Sequence, residues 1–125
     1  DEIHSVDRIK IVQEIKKLES EMKIQKEYFI QINTGNESQK SGVQTIDADQ
    51  FIDQCINQYN FKLKGLMCIP PVGEDPKGHF NTLKDIANNH QLRCLSMGMS
   101  NDYEMAIQCG ATHIRIGTLI FGERV

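Results

Sequence analysis

Toward the C-terminal end of the chain two short apolar runs each break into a loop of Gly, Ser and Thr. The first reads Leu95-Ser96-Met97-Gly98-Met99-Ser100-Asn101-Asp102, the second His113-Ile114-Arg115-Ile116-Gly117-Thr118. Loops of this kind present backbone N–H groups and hydroxyls, the donors that hold a phosphate. Ser100 offers a hydroxyl where the pattern starts a helix, and a helix start favours an anion by roughly 0.3–1 kcal/mol. Gly117 permits close backbone approach, and Thr118 adds a second hydroxyl. Arg115 stands between Ile114 and Ile116, so strand alternation turns it away from both. It points either into the mouth of a barrel, where it would meet a ligand, or out toward helices. The same residues also read as two ordinary strand-to-helix turns with a capping serine, and composition does not choose between the readings.

Other polar residues fall at predicted strand ends. Lys40, in Ser38-Gln39-Lys40-Ser41-Gly42, lies in a loop and reads as a mouth residue or a solvated lysine. Asn33 ends a strand, where it hydrogen-bonds a ligand or starts the loop. Asp7 is sufficiently explained as a helix cap. Met97 and Met99 read as core filling. Cys55, Cys68, Cys94 and Cys109 show no Cys-x-x-Cys spacing, and the histidines are scattered, so reduced buried thiols are expected rather than a metal site. The chain has no Ser-His-Asp or Cys-His arrangement, no Walker loop and no Gly-x-Gly-x-x-Gly.

The elements that would position these residues alternate. Strands are expected at Ile3–Val6, Tyr28–Ile32, Leu63–Ile69, Arg93–Met97 and His113–Ile116. Between them lie four helices. Asp7 caps the first, with Ile11, Ile15, Leu18 and Met22 on its apolar face. Asp47 caps the second, which buries Ala48, Phe51, Ile52, Cys55, Ile56 and Tyr59. The third carries Phe80, Leu83, Ile86 and Ala87. Ser100 or Asn101 caps the fourth, with Asn101 and Glu104 as a capping box, and Gly110 ends it. Strands separated by single helices imply parallel pairing through right-handed crossovers. The fold class is α/β, and the pattern leaves barrel and doubly wound sheet open.

The chain has 125 residues and a net charge of −3. That is one domain's length, but half of the ~250 residues of a complete eight-stranded barrel. The acidic balance gives no ground for nucleic-acid binding. No apolar run reaches the ~20 residues of a membrane span, and no secretory signal opens the chain. A cytoplasmic protein is expected. The start at Asp1, without an initiator methionine, reads as a fragment or a processed chain.

Taken together, Leu-Ser-Met-Gly-Met-Ser-x-Asp and Gly-Ala-Thr-x-Ile-Arg-Ile-Gly-Thr-x-Ile-Phe-Gly-Glu-Arg resemble the pyridoxal phosphate homeostasis proteins of the YggS/PROSC type, related to the N-terminal barrel of alanine racemase. Ile3-His4-Ser5-Val6-Asp7-Arg8, Gln31-Ile32-Asn33, Lys40-Ser41-Gly42-Val43 and Gly65-Leu66-Met67-Cys68-Ile69-Pro70 agree. The resemblance runs from about residue 3 to residue 124. It implies a (β/α)8 barrel of which residues 1–125 form one partial, C-terminal domain of about five strands. It also implies pyridoxal 5′-phosphate as cofactor. By that resemblance Ser100, Gly117 and Thr118 hold the phosphate, Ser96, Gly98 and Met99 shape its loop, and Arg115 meets the pyridine nitrogen. The family's Schiff-base lysine sits on the first barrel strand, which places it upstream of residue 1, since no lysine here stands in a matching motif.

The function implied is a non-catalytic carrier or regulator of vitamin B6 homeostasis. The alternatives are a pyridoxal-phosphate-dependent racemase or related enzyme, and a barrel enzyme acting on a phosphorylated sugar. A racemase needs a second acid–base residue, commonly a tyrosine, and Tyr28, Tyr59 and Tyr103 all fall in strands or helices. An isolated part-barrel is expected to associate with its missing half or with itself through open strand edges.

Overall fold

The computed structural model describes residues 2–23, 27–38 and 41–115. Strands β1 (Glu2–Val6), β2 (Glu27–Asn33), β3 (Val43–Gln44), β4 (Leu63–Met67), β5 (Cys94–Met99) and β6 (His113–Arg115) form one parallel sheet. Helices α1 (Ile9–Met22), α2 (Thr45–Asp53), α3 (Pro76–Asn89) and α4 (Tyr103–Gln108) connect them, and α2 runs on into a π-helical turn, Gln54–Gln58. The order across the sheet is β1-β2-β4-β5-β6, with the two-residue β3 paired to the end of β2.

That order decides what the sequence pattern left open. Each crossover leads to the adjacent strand and always in the same direction. With uniform right-handed crossovers, every helix then falls on one face. A doubly wound sheet reverses direction part-way and puts helices on both faces. The singly wound order is that of a barrel wall. Tyr28, Ile30 and Ile32 of β2, Leu66 of β4, and Leu95 and Met97 of β5 join Val12, Ala48, Phe51, Ile52, Phe80, Leu83, Ala87 and Ala106 of the helices in one core.

The alternate residues face the other way, and they report curvature. Phe29 on β2 meets His113 on β6 edge to face, with ring centroids 5.1 Å apart. Between those strands lie β4 and β5, and three flat spacings would separate them by about 14 Å. Side chains that stand upright from a flat sheet would not meet over that span, so the helix-free face is concave. Gly65 assists: it is in register with Phe29 and with Cys94, and a Cβ on it would lie 2.0 Å from the Cys94 carbonyl oxygen. The β5 backbone occupies that space, and β4 contributes no side chain to the row that starts at Phe29.

Several local expectations change. On α1 the buried face runs through Val12 and Ile15, leaving Leu18 and Met22 more than half exposed. The Tyr28 hydroxyl, stacked through its ring on Phe61, donates to Glu19 and draws that side of the helix inward. Asp7 does not cap α1, whose N-cap is Arg8; its carboxylate accepts the Gly42 N–H at 2.9 Å instead. Asp47 lies inside the first turn of α2. The Thr45 N–H at the start of that helix is bound by the Asn36 side chain, 3.0 Å away and nine residues upstream. The N-cap of α4 is Asp102 rather than Ser100 or Asn101. β4 stops at Met67, short of Ile69, while β5 runs two residues past Met97.

Candidate functional site

Because all the strands are parallel, their C-terminal ends share one edge. Gln31, Met67, Ser96 and His113 are in register across β2, β4, β5 and β6. The residues beyond that line, Asn33 and Thr34, Cys68, Gly98 and Met99, and Arg115, therefore crowd the same rim. Active sites of α/β barrels are built there, from the loops that follow the strands.

Ser96 is buried on the concave face, beside Met67 and His113. Gly98 closes β5 with φ at +106°, a conformation that side chains resist. A Cβ on Gly98 would come within 2.7 Å of Ala106 Cβ, 3.2 Å of Ile114 Cγ2 and 3.3 Å of Tyr103 Cα. Its bareness thus serves the packing of α4 and β6 against β5. Met99 is 44 % exposed. Its N–H donates to Asp102 Oδ1 at 2.7 Å, and its carbonyl accepts the Asp102 N–H at 3.1 Å. These two bonds close a tight turn with exposed Ser100 at its tip. Ser100 precedes the N-cap of α4 by two residues, so its hydroxyl belongs to the turn rather than to the first turn of the helix. Arg115 pairs in register with Met99, bringing the end of β6 beside that turn. Gly117 and Thr118, and Lys40 on the other loop, lie outside the described residues.

Asn33 is committed to its own loop. Its Nδ2 donates to the Glu37 carbonyl at 2.6 Å and its Oδ1 accepts the Glu37 N–H at 3.2 Å. Two of the three tyrosines are spent on the helix side: Tyr28 on Glu19, and Tyr59, whose hydroxyl accepts from Gln13 Nε2 at 3.1 Å. Tyr103 opens α4.

Thr34 and Cys68 were not legible as rim residues in the sequence, and Asp102 was given no role within its loop. Thr34 is 8 % exposed, and among the described residues its hydroxyl makes no hydrogen bond of ordinary geometry, the Cys68 thiol being the polar group beside it. Burial pushes the Cys68 thiol up to about 12; the Thr34 hydroxyl opposes this, and the negative charge of Asp102 adds a smaller upward push. Cys55, in the π-helical turn, is likewise pushed up to about 12 by burial. Both are unreactive thiols at neutral pH. The one available signal was position: Thr34 and Cys68 each directly follow the last residue of a strand. Among the described residues, no cluster of His, Cys, Asp or Glu could hold a metal ion, and no helix is long and apolar enough to cross a membrane.

A profile of the alanine racemase N-terminal domain matches residues 1–125. The chain belongs to that family. Its relatives include the pyridoxal phosphate homeostasis protein of Aquifex aeolicus, 40 % identical over 131 residues, 98 % of this chain and 58 % of the relative. Among solved structures it is similar to Synechococcus elongatus PipY with PLP bound, at a TM-score of 0.85 and 29 % identity, over 98 % of this chain and 61 % of PipY. A protein of unknown function from Bifidobacterium adolescentis superimposes with a TM-score of 0.88 at 29 % identity, over 97 % of this chain and 53 % of its own. The chain therefore spans a little over half the length of the curated relatives it matches.

Proposed function

We propose that the full-length protein carrying this sequence binds pyridoxal 5′-phosphate at the C-terminal rim of the sheet and acts as a carrier or regulator of the cofactor rather than as an enzyme. The observation that carries this reading is the rim itself, where the turn closed between Met99 and Asp102 starts beside Arg115, the register partner of Met99, at the C-terminal edge of a barrel wall. Likeness to a relative solved with PLP bound supports it.

The residues present suit the group. Ser96 and Ser100 supply hydroxyls, the turn supplies backbone N–H groups, and one oxygen of the Asp102 carboxylate, Oδ1, accepts the Met99 N–H. In this reading Ser100, Gly117 and Thr118 hold the phosphate, and Ser96, Gly98 and Met99 shape its loop. Arg115 faces the pyridine nitrogen, where a cation keeps that nitrogen unprotonated. Bound pyridoxal phosphate supplies an amine-reactive aldehyde on an electron-withdrawing ring, and an arginine at the nitrogen weakens that withdrawal. The hydroxyls of Tyr28 and Tyr59 are engaged on the helix face, so neither is poised as a racemase's second acid–base group.

The test is cofactor retention by the full-length protein, read from the absorbance of bound pyridoxal phosphate after gel filtration. Wild type is expected to retain it, and R115A and T118A to weaken binding about tenfold each, the scale of one charge-assisted contact. Unchanged retention in both variants rejects the assignment.

A further inference from the structure

The carboxylate of Asp102 has an unusual duty. It stands at the N-cap of α4, yet it makes no side-chain cap bond to that helix. It turns back and accepts the Met99 N–H at 2.7 Å, while its own N–H donates to the Met99 carbonyl at 3.1 Å. Both halves of the turn around Ser100 therefore hang on one residue. Met99 is also paired with Arg115 at the end of β5, while Ser100 beyond it is exposed at the tip. Below it, Gly98 is already held at a positive φ by the packing of α4. The charge of Asp102 is also felt at the neighbouring strand end, where it raises the Cys68 thiol.

We propose that Asp102 is a positioning residue for the phosphate end of the ligand: by fixing the Met99 N–H it holds the Ser100 turn in the shape that receives the phosphate. The inference rests on the site proposed above and assigns a role to a residue that need not touch the ligand. A carboxylate is the natural group for it, because an ionised acceptor makes a shorter and stronger bond to N–H than a neutral one. It also places a negative charge next to an anion site, so position rather than attraction is what it contributes.

The experiment compares pyridoxal 5′-phosphate with pyridoxal, which lacks the phosphate, on the full-length protein. The ratio of the two affinities isolates the phosphate grip. D102A is expected to lower that ratio about tenfold, the scale of one charge-assisted hydrogen bond. D102N keeps an acceptor oxygen without the charge and is expected to fall between wild type and D102A. D102E keeps the charge but displaces it by one methylene, and is expected to fall with D102A. A merely structural defect would lower both affinities together and leave the ratio unchanged. An unchanged ratio in D102A overturns the proposal, as does a loss in D102N equal to that in D102A. If D102A does not fold, an unchanged ratio in D102E overturns it instead. A wild type that binds the two compounds equally well removes the phosphate site itself, which separates failure of the site from failure of this role.

Discussion

Replacing Gly98 by alanine tests whether the rim is built as described. Two costs arise. A residue with a side chain held at φ +106° carries about 1–3 kcal/mol of backbone strain. The added methyl would also stand 2.7 Å from Ala106 Cβ and 3.3 Å from Tyr103 Cα, so α4 must move outward. Overpacking of that kind costs about 1–3 kcal/mol. A total of about 3 kcal/mol corresponds to a fall in Tm of roughly 10 °C for a protein of the size of the relatives. The assay is thermal and urea unfolding of the full-length protein by circular dichroism. Two further variants apportion the loss. A106G removes the clashing methyl but costs about 1 kcal/mol as a helix glycine, so G98A/A106G should be about 1 kcal/mol less destabilised than the sum of the two. G78A adds a methyl in α3 where nothing lies within 4 Å, and should stabilise by up to about 1 kcal/mol. G98A melting within about 2 °C of wild type would refute both the backbone conformation and the packing argument.

Thr34→Val replaces a buried hydroxyl, which has no hydrogen bond of ordinary geometry and only a weak acceptor or donor in the neighbouring Cys68 thiol, by a methyl of similar shape, and denaturant unfolding should show a change within about 1 kcal/mol rather than the larger loss usual at a buried site. Cys55 and Cys68 keep their protons in the fold up to about 12, whereas unfolded thiols lose them near the ordinary value of 9.0. Their contribution is fully present below pH 9 and is lost as pH rises from there toward 12, with a slope approaching about 1.4 kcal/mol per pH unit for each thiol. Urea midpoints measured between pH 8 and 11 should fall less steeply in C55A than in wild type.

How much of this could be read from the residues varies with the distance over which each interaction acts. The alternation of elements was legible because apolar periodicity is local. The helix faces of α2 and α3 were legible for the same reason, and that of α1 was not, since Tyr28 reorders it from outside the helix. The strand order was out of reach, because a βαβα pattern does not state which way each crossover turns. Caps were misassigned to the nearest Asp or Ser. The Asn36 side chain serves α2 from nine residues away, and Asp7 serves a loop thirty-five residues on. Gly98, Met99 and Ser100 were placed at a strand end by their sequence and do lie there, whereas Ser96 is buried within β5, which runs on to Met99. The physical reason for Gly98, contact with Ala106 and Tyr103, is a tertiary fact.

The strand order also bears on how such a wall comes into being. Apart from the short β3, every strand lies beside the one made just before it, so each helix–strand unit can dock onto a finished neighbour as it emerges from synthesis. Among the described strands, none has to be inserted between two others. The consequence is a growing front: at each stage the newest strand is the open edge, and the next unit covers it. A lengthened pause in synthesis between two units would leave the newest strand as a bare edge in a fixed and predictable place.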